Sequence, residues 1–60
     1  MNSLIPEFMD EVKSKINETF GIVAAKYQWR DKWYVDIRVD NRMYYHSPIE
    51  NWEVVRKYEA

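Results

Sequence analysis

Between Ile22 and Val39 the apolar residues recur at every second position, and this alternation constrains the chain more than any other feature. Val23, Ala25, Tyr27 and Trp29 alternate with Ala24, Lys26, Gln28 and Arg30; Trp33, Val35, Ile37 and Val39 alternate with Tyr34, Asp36 and Arg38. A period of two marks strands with one buried face. Two such strands around Arg30-Asp31-Lys32 read as a hairpin. Its register follows from keeping apolar faces together, because a slip of one residue turns every side chain over. A three-residue loop, Arg30-Asp31-Lys32, pairs Trp29 with Trp33, Tyr27 with Val35, Ala25 with Ile37 and Val23 with Val39. A two-residue turn at Asp31-Lys32 sets each apolar group opposite a polar one. The pattern therefore predicts the three-residue loop, with a local bulge and Lys32 near the left-handed region. Asp40-Asn41 marks a second turn into a third strand, Met43 to His46, where two- and three-residue turns both remain open.

The flanks read as helical. Ile5, Phe8, Met9, Val12, Ile16 and Phe20 recur at steps of three and four, which predicts an amphipathic helix over 4–20. Ser3 suits its N-cap, Pro6 its first turn and Gly21, the only glycine, its C-terminus. In the tail, Ser47-Pro48-Ile49-Glu50 has capping-box spacing with Pro at the first helical position, which favours a helix over 48–58. Trp52, Val54, Val55 and Tyr58 are strand formers, so a fourth strand is the alternative.

The expected architecture is α+β: a single domain, 1–60, with an N-terminal helix on a three-stranded antiparallel meander and a short C-terminal helix. In element order this resembles double-stranded-RNA-binding domains. The lysine-rich start of the last helix that such domains use on phosphate is absent, and Ser47-Pro48-Ile49-Glu50 stands there instead. The likeness is one of arrangement alone.

At 60 residues such a chain buries only about 60% of its unfolded surface, so its core is thin. It has no cysteine, hence no disulfide and no thiolate metal site. Three Trp, five Tyr and two Phe supply apolar area instead. A net charge of −1 gives no global attraction to nucleic acid or an anionic membrane. No apolar run approaches the ~20 residues of a membrane span, and no signal peptide is visible, which predicts a cytoplasmic chain with no membrane partner.

Nothing in the sequence carries catalysis or holds a cofactor. His46 is the only histidine, so a two-His metal site is excluded. Paired with Asp36 it could tune a base, but a nucleophile is lacking, and an exposed His bonded to a neighbour is the plainer reading. The expectation is a non-enzymatic chain. Two binding surfaces stand out. Trp29, Arg30, Trp33 and Tyr34 have the composition of a protein-interface hot spot at a hairpin tip, against the plainer reading of a cross-strand Trp pair. Their expected occupant is another protein or a second copy of the chain. Lys26, Gln28, Tyr34, Arg38, Tyr44 and His46 combine cations with rings on the outer sheet face, as in sheets that hold single-stranded nucleic acid, against the plainer reading of a solvated face. The first expectation is therefore a small self-associating interaction module, of the size of accessory or inhibitor proteins carried by viruses or mobile elements. The alternative is a single-stranded nucleic-acid binder.

Overall fold

In the computed structural model, which describes residues 4–59, the alternating stretch becomes the central hairpin of a five-stranded antiparallel sheet. Strand β1 is Glu11–Ser14, β2 Phe20–Trp29, β3 Lys32–Val39, β4 Arg42–Pro48 and β5 Trp52–Arg56, with a single 3-10 turn, Ile49–Asn51, before β5. Across the sheet the order is β4-β3-β2-β1-β5. The outer strands β4 and β5 are thus opposite edges, yet only three residues join them. So short a link requires the sheet to curl until its edges approach. The extents, 32 × 27 × 26 Å, agree, since a flat sheet with its side chains is only about 10 Å thick. Inside the curl lie Val12, Val23, Val35, Ile37 and Trp52, with Val39, Tyr44, Ile49 and Val54 packed around them. Each fully buried aliphatic side chain contributes about 1.5–3 kcal/mol.

The α+β expectation is overturned. The described residues contain no helix longer than the 3-10 turn. Ser3, the expected N-cap, lies outside them. Of the supposed helical stripe only Val12 is buried; Ile5, Phe8, Ile16 and Phe20 are more than half exposed. The real signal is a strand disguised by polar inward positions. Asp10, Val12 and Ser14 all point inside, at a period of two. The buried Ser14 hydroxyl accepts from the backbone N–H groups of Ile16 and Asn17, which closes the β1–β2 turn. Gly21 caps no helix; it lies within β2 with no positive φ. In the tail, Ser47 belongs to β4, opposite Val35, and the helix stops after one turn because the Trp52-Glu53-Val54 alternation takes over on the edge of β1. With neither flanking helix present, the arrangement of double-stranded-RNA-binding domains is absent.

The hairpin register is corrected as well. Trp29 pairs with Lys32, Gln28 with Trp33, Tyr27 with Tyr34 and Lys26 with Val35. The turn is two residues, Arg30-Asp31, with φ of 51° and 65°. Two positive φ values in succession are the mark of a type I′ turn, whose twist matches that of the strands. A bulge at Ala24 then absorbs one residue, so Val23 still reaches the core opposite Ile37. The second turn is also of two residues, Asp40-Asn41, between paired Val39 and Arg42. A second bulge sets Tyr45 and His46 together opposite Asp36.

Candidate functional site

The two bulges decide which side chains reach the open face of the hairpin. After the turn, β2 presents Tyr27 and Trp29 on the same side as Tyr34 of β3, because paired residues share a face. The bulge in β4 turns His46 onto that side, at a φ of 57°. The result is a contiguous ring cluster. The Tyr34 and His46 rings are stacked, with centroids 3.9 Å apart and planes 11° from parallel. Tyr27 lies 5.9 Å from His46 and 6.2 Å from Tyr34, both near parallel. Trp29 stands edge-on to them, 5.3 Å from His46 and 6.2 Å from Tyr34. The Arg30 guanidinium lies over Trp29 at 4.4 Å.

Asp36 sits beneath the cluster as its anchor. Its Oδ1 accepts from the Tyr27 hydroxyl at 3.0 Å and from the His46 backbone N–H at 2.8 Å. Tyr27 Oη is also 3.1 Å from His46 Nδ1. These bonds hold three strands' rings in one array. Desolvation and the neighbouring Asp36 carboxylate push the Tyr27 phenol above its ordinary value, so it remains a hydrogen-bond donor well into alkaline solution. Although held from below, the rings are open above: Trp29 is 47% exposed and His46 is exposed, while Tyr27 and Tyr34 are half-buried. Lys32 faces this side as the partner of Trp29, and Arg38 lies further along the same face of β3.

The residues singled out from sequence are divided by this geometry. Trp29, Arg30 and Tyr34 join the cluster, but Trp33 lies on the opposite face with Gln28. Of the six outer-face candidates, Tyr34 and His46 are stacked on each other and Arg38 shares their face. Lys26, Gln28 and Tyr44 do not. The Lys26 stem covers the core side, its ammonium 3.0 Å from Glu7 and 5.2 Å from the Trp33 ring. Tyr44 packs toward Trp52, with ring centroids 6.4 Å apart. Tyr27 is a member that alternation assigned to the core; only the bulge at Ala24 reveals its real side.

A second feature lies around Trp33. Leu4, Ile5, Trp33, Ile49 and Trp52 line a mainly apolar groove of about 480 Å³, with Lys15, Lys26 and Glu50 at its margins. Among the described residues no group of three or more His, Cys, Asp or Glu side chains is placed to hold a metal ion. No helix among them is long and apolar enough to cross a membrane. No protein-family model, curated protein or solved structure matches the chain.

Proposed function

We propose that the chain is a non-enzymatic, cytoplasmic domain that binds single-stranded nucleic acid on the Tyr27–Trp29–Tyr34–His46 array and needs no cofactor. The observation that carries this reading is the array itself: rings held together through Asp36, partly exposed to solvent, with Arg30 over Trp29 and Lys32 beside it. Unpaired bases stack on such rings whatever their identity, while nearby cations meet the phosphates. A duplex hides its base faces, so single strands are the fitting class. The Asp36 carboxylate is outnumbered on this side by Lys32 and Arg38 on the same face and Arg30 over Trp29.

Base–aromatic stacking is worth about 1–3 kcal/mol per base. Trp29→Ala and Tyr34→Ala are therefore each expected to weaken oligonucleotide binding by about 5- to 150-fold. Anisotropy titrations with a labelled oligonucleotide at about 50 mM salt measure this, and salt should weaken the complex further. Absence of binding by the wild-type chain under those conditions removes the reading.

The groove around Trp33 favours a second reading, self-association or binding of another protein. Trp33 is 45% exposed there beside the exposed Leu4 and Ile5, and aromatic side chains so placed dominate many interfaces. Sedimentation of wild-type and Trp33→Ala chains over a concentration series distinguishes the cases. A dimer weakened about 10-fold or more by the substitution supports the reading. A wild-type monomer at all concentrations dismisses self-association.

A further inference from the structure

We propose that His46 makes binding at the ring array proton-dependent: the neutral imidazole only stacks, whereas the imidazolium also presents a positive charge and an N–H donor to the phosphate backbone. This rests on the single-stranded nucleic-acid reading above.

The hydrogen-bond chain determines which ring atom takes up the proton. The Tyr27 hydroxyl has one hydrogen, and it donates that hydrogen to Asp36 Oδ1 at 3.0 Å. Toward His46 Nδ1, 3.1 Å away, Tyr27 Oη can then only accept. Nδ1 therefore carries the hydrogen of the neutral ring, and Nε2 is the atom whose lone pair is left to accept a proton. Nε2 has no protein partner among the described residues, so adding a proton there breaks no bond within the fold. The ring changes charge while its stack on Tyr34 and its backbone bond to Asp36 stay in place.

The location is built rather than incidental. His46 is held at a φ of 57°, in the left-handed region that non-glycine residues seldom occupy, and the bulge imposes it. The charged and titratable groups facing the ring are Tyr27 from β2, Tyr34 and Asp36 from β3, and Tyr45 beside it on β4. Arg30 and Lys32 lie beyond Trp29, and Arg38 beyond Asp36. A strand stacked on Trp29 and Tyr34 carries its phosphates past the exposed His46 ring between them. Proton and nucleic acid then strengthen each other's binding, by the reciprocity that links any two ligands.

The test is calorimetric titration of oligothymidylate at about pH 8 and about pH 5.5, values on either side of the range in which imidazoles titrate. Binding is expected to be about fivefold or more tighter at the lower pH. The slope of log affinity against log salt should also steepen by about 0.7, one released counterion. His46→Asn, which tolerates positive φ, and His46→Phe, which keeps a ring, should both bind with no such pH difference. His46 is the only histidine, so its proton resonance follows the same event directly. Saturating oligothymidylate should raise its titration midpoint by about 0.7 pH, the equivalent of a fivefold coupling. Equal wild-type affinity at the two pH values, or a pH difference that persists in both variants, overturns the proposal and leaves stacking intact. No binding at either pH overturns both readings.

Discussion

Asp10→Ala is expected to lower the unfolding free energy by about 3 kcal/mol, a fall of about 12–24 °C in Tm for a domain of this size. Asp10 is only 2% exposed, and both carboxylate oxygens accept hydrogen bonds. Oδ1 accepts from the Tyr58 backbone N–H at 2.8 Å; Oδ2 accepts from the Glu7 N–H at 2.9 Å and from Lys57 Nζ at 2.6 Å. Its backbone carbonyl accepts from Val23 N–H at 3.0 Å. One residue thus ties the N-terminal segment, β2 and the tail beyond β5. Truncation strands two backbone donors, at about 1–3 kcal/mol each where water does not reach them. Lys57 is 41% exposed, so solvent recovers part of its loss, which keeps the estimate at the low end for a broken buried pair. Asp10→Asn does not restore the fold's stability, because an amide offers one acceptor where the site needs two.

The same carboxylate sets a pH dependence. Burial pushes the Asp10 carboxyl up, but Lys57 and the Tyr58 and Glu7 N–H groups outweigh burial and hold it below its ordinary value. A group depressed in the folded state stabilises fully above its unfolded value, about 3.9, and loses that contribution as pH falls through the folded value. The stability gap between wild-type and Asp10→Asn chains should therefore be constant near neutrality and narrow below about pH 4. Urea melts from about pH 2 to 7 measure it. A gap that persists unchanged into acid would show that the ionised carboxylate is not what stabilises.

Alternation located the strands around Val23, Val35 and Ile37 and put those three side chains in the core, because each stands where hydrophobic burial alone decides. It failed where polar groups are buried with partners. Asp10, just before β1, and Ser14, at its end, flank Val12 on the inner side, and alternation of apolar residues takes such polar positions for solvent. It failed again at the bulges, each of which shifts a strand by one residue without altering composition. The bulge at Ala24 turns Tyr27 and Trp29 outward, and the bulge at Tyr45-His46 brings His46 to meet them. The ring cluster is therefore legible in the sequence as residue types, and only in part as a face: Tyr34, Arg38 and His46 lie on the outer side, while Lys26, Gln28 and Tyr44 lie on the inner one. The backbone signal for the two hairpin turns and the β4 bulge lies in Arg30, Asp31, Asp40 and His46 at positive φ, which non-glycine residues do not announce.

Gly21→Ala is expected to destabilise by about 2 kcal/mol, against the usual sign for a position without positive φ. Glycine-to-alanine changes normally gain about 0.4–1 kcal/mol by restricting the unfolded chain. Here the added Cβ would lie 2.5 Å from Ile37 Cγ2, 2.9 Å from the Arg38 carbonyl oxygen and 2.9 Å from Val39 Cγ2. Carbon atoms in contact prefer about 3.5–4.0 Å. Ile37 is fully buried and cannot retreat, and the Arg38 oxygen is backbone of the neighbouring strand. Overpacking of this kind costs about 1–3 kcal/mol, and a clash with backbone puts it toward the upper end. The lone glycine therefore marks a close strand approach, a meaning glycine carries inside strands. Thermal melts should show Tm lowered by about 8–15 °C. Ile37→Leu removes the offending Cγ2, so the double variant should lose less than the two single changes summed, by about 0.5 kcal/mol or more. Strict additivity would locate the clash at Arg38 and Val39 alone, and a Gly21→Ala chain as stable as wild type would show that β2 and β3 do not approach so closely.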